Sequence, residues 1–124
     1  MDSILTSIKK MLGITAEYEH FDMDLIIHIN SVFSILYQLG VGPKEDGKVV
    51  PYMITDDENT WDEFIQDKTT IEMVKSYMYL KCRLIFDPPA TNNVLEAINR
   101  QIAEFESRLN YAVDPEDTFD ESED

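Results

Sequence analysis

The sequence is poor in helix-breaking residues, in thiols and in positive charge. Only four glycines and five prolines punctuate its 124 residues, most of them between Gly40 and Pro51, at Pro88-Pro89 and at Pro115. Long uninterrupted segments are left for helices. The single cysteine, Cys82, excludes an intramolecular disulfide, and with two histidines, His20 and His28, no Cys/His cluster has zinc-ligand spacing. No segment approaches the roughly 18 apolar residues that cross a bilayer. The opening MDSILTSIKKMLGI lacks the basic start and apolar run of a signal peptide. The expectation is a soluble protein that is not exported by that route. Ten Lys and Arg stand against 25 Asp and Glu, a formal charge of −15. Phosphate would be repelled, which excludes a free-standing nucleic-acid binder.

The hydrophobic fraction of 44% and twelve Phe and Tyr residues argue for a folded chain, of a size that buries one modest core. The last eleven residues, 114–124, hold seven acids and no base, so the body keeps 18 acids against 10 bases. The predicted organisation is one helical domain over residues 1–113 and an acidic, disordered tail over 114–124. Phe119 is the only large hydrophobe of that tail.

Apolar spacing of three and four runs through the chain and predicts an all-α fold. Ile4, Leu5, Ile8, Met11 and Leu12 predict a helix near 2–12, capped by Asp2 or Ser3 and stopped by Gly13. Leu25, Ile29, Val32, Leu36 and Leu39 predict a second near 22–39, stopped by Gly40. Thr60 and Glu63 fit a capping box that opens a short helix near 60–66, with Trp61, Phe64 and Ile65 facing the core. A helix near 70–86 carries the stripe Ile71, Val74, Met78, Cys82 and Ile85, and Asp87-Pro88-Pro89 ends it. The last helix, near 93–111, is capped by Asn93 and has the narrow stripe Leu95, Ile98, Ile102, Phe105 and Leu109. Residues 41–59 break the helical pattern and form a long loop, with a Lys44–Gly47 turn signal able to close a small hairpin. Loops of this length inside compact domains are often functional, so this one is a candidate contact element. Ile29, Leu36, Val74 and Met78 lie at the centres of their stripes and are the expected core.

No constellation for catalysis is legible. His28 with Asp24, one turn apart, lacks the further ligands a metal needs. Asp56, Asp57, Glu58, Asp62 and Glu63 lack the alternation and central glycine of a calcium loop. Cys82 falls on an apolar stripe, where a thiol acts as a small hydrophobe. The expectation is no enzyme, no metal and no cofactor. One polar feature stands out: Lys75, Lys81 and Arg83 place three of the ten bases on one helix, and Glu72, Lys75, Tyr79 and Arg83 share an edge. That edge is either a solvated face or a contact for an acidic neighbouring copy.

Four stretches carry a family likeness: IKKMLGI at 8–14, DLIIHINSVFSILYQLGVGP at 24–43, LKCRLIFDPP at 80–89 and NRQIAEFESRLNYAVDPED at 99–117. In their order they resemble the head-tail connector, or adaptor, proteins of long-tailed bacteriophages, also labelled DNA-packaging proteins. The resemblance implies a structural virion protein, made in the host cytoplasm. It assembles as a ring beneath the portal after packaging, extends the DNA channel, completes the head and offers a surface to the next head-completion or tail protein. DNA meets it only by passage through the channel, and no membrane is involved. On this reading Leu95, Ile98, Ile102, Phe105 and Leu109 dock the portal, and Lys75, Tyr79 and Arg83 join neighbouring subunits, with the 41–59 loop contributing. The residues alone leave two rivals open: an acidic regulatory protein or DNA mimic that binds a basic partner, and a small enzyme using paired acids.

Overall fold

The computed structural model describes residues 3–65 and 67–113. Five helices, α1 (Ile4–Met11), α2 (Asp22–Gln38), α3 (Trp61–Phe64), α4 (Lys68–Phe86) and α5 (Asn92–Val113), surround one core. The expected all-α description needs one amendment. Two-residue strands β1 (Lys44–Glu45) and β2 (Lys48–Val49) pair antiparallel, Lys44 with Val49 and Glu45 with Lys48. Their connection is Asp46-Gly47, both at positive φ (54° and 79°), the conformation a two-residue type I′ hairpin demands.

The helix ends follow local chemistry. The Ser3 hydroxyl accepts from the Thr6 amide and caps α1, while Asp2 lies outside the described residues. Gly40 closes α2 with a paired C-terminal lock: its amide donates to the Tyr37 carbonyl and the Val41 amide donates to that of Leu36. A positive φ of 87° at Gly40 makes this possible. Gly13 closes α1 in the same way, through Lys10 and Lys9. α4 begins two residues earlier than the apolar pattern indicates, because the Asp67 carboxylate accepts from the Thr69 amide and the Thr70 hydroxyl. α5 is capped by Thr91, not Asn93, through the Val94 amide. Only the glutamate half of the Thr60/Glu63 box forms: the Thr60 side chain makes no cap bond, while the Glu63 carboxylate accepts from the Thr60 backbone. The same carboxylate also accepts from the Tyr52 hydroxyl and the Asn59 side-chain amide, and α3 is a single turn.

Ile29, Leu36, Val74 and Met78 are fully buried, as expected. Ile85, read as the end of the α4 stripe, is exposed. The stripe loses its cover in the last turn before the prolines. The 41–59 segment is only partly a free loop. Tyr52 packs edge-on against Phe33, and buried Ile54 is held by Asn30, whose side chain donates to the Ile54 carbonyl and accepts from its amide. An asparagine on α2 thus supplies what a neighbouring strand would, and satisfies a backbone that crosses the core surface without a partner. The segment ends on α1, where the Ile4 amide donates to the Asn59 carbonyl.

Lys9 is a fixed point that its place beside Lys10 in the sequence does not announce. It is 2% exposed. Its ammonium donates to the carbonyls of Ala16 (3.0 Å) and Tyr18 (2.6 Å) and pairs with Asp22 at 2.8 Å. One side chain therefore ties the end of α1, the 13–21 connection and the start of α2 together.

Candidate assembly surface

The residues with the greatest chemical potential are taken up by structure. His28 does not form a surface pair with Asp24: its Nε2 donates to the Lys81 carbonyl at 3.1 Å, and its ring meets Phe86 edge-on, which joins α2 to α4. Cys82 is buried, and desolvation pushes its thiol pKa up to about 12, so it stays protonated and unreactive at neutral pH. Trp61 is core, with its indole N–H donating to the Ser7 hydroxyl. Among the described residues no group of three or more His, Cys, Asp and Glu is placed to hold a metal ion. No helix among them is long and apolar enough to cross a membrane.

The acids of the 56–63 segment brace the backbone. Asp56 accepts from the Glu58 amide. Hydrogen bonds from Asn59 and then Tyr52 favour the charged carboxylate and hold the Glu63 pKa below the usual value of 4.5. A depressed carboxylate stabilises the fold above its unfolded pKa, and that contribution is lost as pH falls through the folded one. Urea midpoints should therefore decline below about pH 4.5 in the native chain, and in Glu63→Gln the decline should be shallower; equal slopes would show that Glu63 contributes nothing to it.

The proposed portal stripe is divided. Ile98, Ile102 and Leu109 are buried against the chain's own body, Phe105 is half-buried against the core, and Leu95 is exposed. The α4–α5 pairing is the most extensive helix contact in the molecule. It also carries a polar pin, the Tyr77 hydroxyl donating to Glu106 at 2.7 Å. Most of the narrow stripe is thus a core face.

On the basic edge of α4, Lys75, Tyr79 and Arg83 are each half-buried and lie together as their spacing implies. The Lys75 ammonium sits 3.5 Å from Glu72 and 5.9 Å from the Trp61 ring centroid. Arg83 donates to the Asp87 carbonyl at the end of its own helix. The neutralising partners are few and exposed, so the edge keeps charge to offer.

A surface that the local sequence pattern does not reveal lies at one end of the bundle. The His28–Lys81 bond sets the start of α2 beside the end of α4, and the short 87–91 turn brings the start of α5 to the same end. Tyr18 and Phe21 just before α2, Met23 and Ile27 in its first turns, Ile85 in the last turn of α4 and Val94 and Leu95 in the first turn of α5 lie on the segments that reach this end. They are seven of the ten exposed large hydrophobics among the described residues, a concentration that marks a contact surface more than scattered exposure does. Met23 and Ile27, one turn apart on the polar side of α2, are the signal the sequence offers. Only the antiparallel packing shows that Ile85 and Leu95 join them.

The described residues present surface above all: an apolar end, a basic edge and a hairpin on an acidic body. The class these features define is a mostly helical protein with surfaces open to contact. The chain matches the family model of the phage connector proteins over residues 4–116, a span that includes every helix and the hairpin, and it belongs to that family. No curated protein and no solved structure matches it. It is a structural phage protein, a virion component that meets other head and tail proteins.

Proposed function

We propose that this subunit forms a ring between the portal of the phage head and the tail, extends the DNA channel and completes the head after packaging. The observation that carries this reading is the apolar end: a body with a closed core still exposes seven large hydrophobics on the segments that reach one end of the bundle. That end is the portal side, contributed by α5 through Leu95; the accessible part of Phe105 lies about 15 Å further along the helix. Ile98, Ile102 and Leu109 support it from within. Neighbouring subunits meet through Lys75, Tyr79 and Arg83 on one copy and the acid-flanked 41–59 segment on the next, since a heterologous ring needs two different surfaces per subunit. The acidic body suits a channel wall over which DNA slides without binding.

Electron microscopy of the protein with a portal tests the arrangement. The double substitution Lys75→Glu, Arg83→Glu should abolish rings while the circular dichroism spectrum and thermal midpoint stay near those of the native chain. Normal rings in that variant would remove the lateral assignment. A monomer that instead captures a basic protein would favour a regulatory role.

A further inference from the structure

The basic edge borders a groove whose occupant can be argued from where the chain leads. Along one face of α4, Lys68, Ile71, Lys75, Ser76 and Tyr79 succeed each other at helical spacing. Two hollows, of about 610 and 490 Å³, lie on this face and share Met11 as a wall. Trp61 bounds the first and Phe105 the second. Met11 is 41% exposed although it lines both. The groove is therefore an apolar trough whose near end carries two lysines, Lys68 and Lys75, beside two acids, Asp62 and Glu72.

α5 ends close to that near end. The Tyr77–Glu106 bond fixes the antiparallel register of α4 and α5. Val113 lies seven residues beyond Glu106 and Thr70 seven before Tyr77, both about 10 Å from the bond at ~1.5 Å per residue. The chain thus leaves α5 about level with the first turn of α4, the turn that carries Lys68 and Ile71. Residues 114–124 read DPEDTFDESED, with acids on both sides of a single aromatic residue, Phe119. Six residues of extended chain reach up to about 20 Å, and the groove from Lys68 to Tyr79 is about 16 Å long by helical rise. Lys68 is exposed and makes no ion pair among the described residues, and Lys75 has only the exposed Glu72. A short tether also holds the tail near the groove at an effective concentration in the millimolar range.

We propose that residues 114–124 dock in the α4 groove of their own molecule, Phe119 seated between Met11 and Trp61 and the flanking acids paired with Lys68 and Lys75. Phe119 lies beyond the residues matched to the connector family, so this contact belongs to the individual chain. It covers Lys75 and Tyr79, and a neighbouring copy that uses the same edge has to displace it. The tail acts as a shield on the free subunit, whatever ring that subunit later joins.

The test uses the full chain carrying Ser122→Cys and a nitroxide label. The native Cys82 is buried and escapes labelling. Amide signals of Met11, Ile71 and Lys75 should lose intensity severalfold in a dilute, isotope-labelled sample. The loss should disappear when Phe119→Ala is added, and should weaken with salt, since the pairing lysines are accessible to screening. Broadening confined to the last turn of α5 would overturn the proposal. So would broadening that appears only between copies, in a mixture of spin-labelled and isotope-labelled chains, because the occupant would then be a second molecule's tail. Neither outcome depends on ring formation.

Discussion

A chain ending at Thr91, without α5 and everything after it, should fail to fold. Ile98, Ile102 and Leu109 are buried against the rest of the protein. Burying such side chains is worth about 1.5–3 kcal/mol each, so these three alone approach the ~5–15 kcal/mol of net stability typical of a domain. Their removal also uncovers Tyr77 and Leu80 on α4, both buried in the intact chain, and leaves the Tyr77 hydroxyl without its Glu106 acceptor. The expected result is loss of the cooperative thermal transition and of near-ultraviolet dichroism. A chain ending at Val113 should keep both, because it retains every described contact of α5. A folded product from the shorter chain would show that α5 is an appendage free to dock elsewhere, and would return Ile98, Ile102 and Leu109 to the portal-binding surface.

That experiment bears on what a sequence can and cannot disclose. Apolar spacing located the helices, because burial imposes the period on whichever residues face the core, and Gly13, Gly40 and Pro88-Pro89 marked ends through backbone constraints local to them. Asp46-Gly47 signalled its turn for the same reason. The stripe of α5 was equally visible, but spacing reports only that a face is apolar. Whether it meets its own body or another protein depends on neighbours distant in sequence. Ile85 shows the converse failure: it keeps the period of α4 and yet is exposed, since no element covers the last turn. The Asn30–Ile54 pair and the bundle's apolar end were beyond local reading too, each being made by segments that only the packing brings together. The proposed assembly residues Lys75, Tyr79 and Arg83 stand out in the sequence as a pattern of charge on one edge. The hollows beside that edge depend on α1, α3 and α5, and no feature of α4 alone predicts them.

Lys9→Met should destabilise the protein by about 3–5 kcal/mol, the usual cost of removing one partner from a buried ion pair. Methionine keeps the apolar stem of the lysine at similar volume, so the substitution isolates the ammonium. Three acceptors then lose their donor: the carbonyls of Ala16 and Tyr18 and the carboxylate of Asp22. The carboxylate retains some access to solvent, with 26% of its side chain exposed, which places the expected cost toward the lower end of that range. For a chain of this length a loss of about 3 kcal/mol lowers the thermal midpoint by roughly 10 °C. Asp22→Asn should cost less, about 1 kcal/mol, because the amide oxygen still accepts from Lys9 and only the charge assistance is lost. Salt should barely change the difference between native chain and Lys9→Met, since a pair this enclosed is poorly screened. The consequence extends to assembly, because Lys9 fixes the 13–21 connection that carries Tyr18 and leads into Phe21 and Met23 at the apolar end. Loosening this connection should raise amide exchange there before it reaches the α4–α5 contact. If Lys9→Met melts with the native chain, or exchanges uniformly, the buried ammonium is not the tie that holds this end of the bundle in shape.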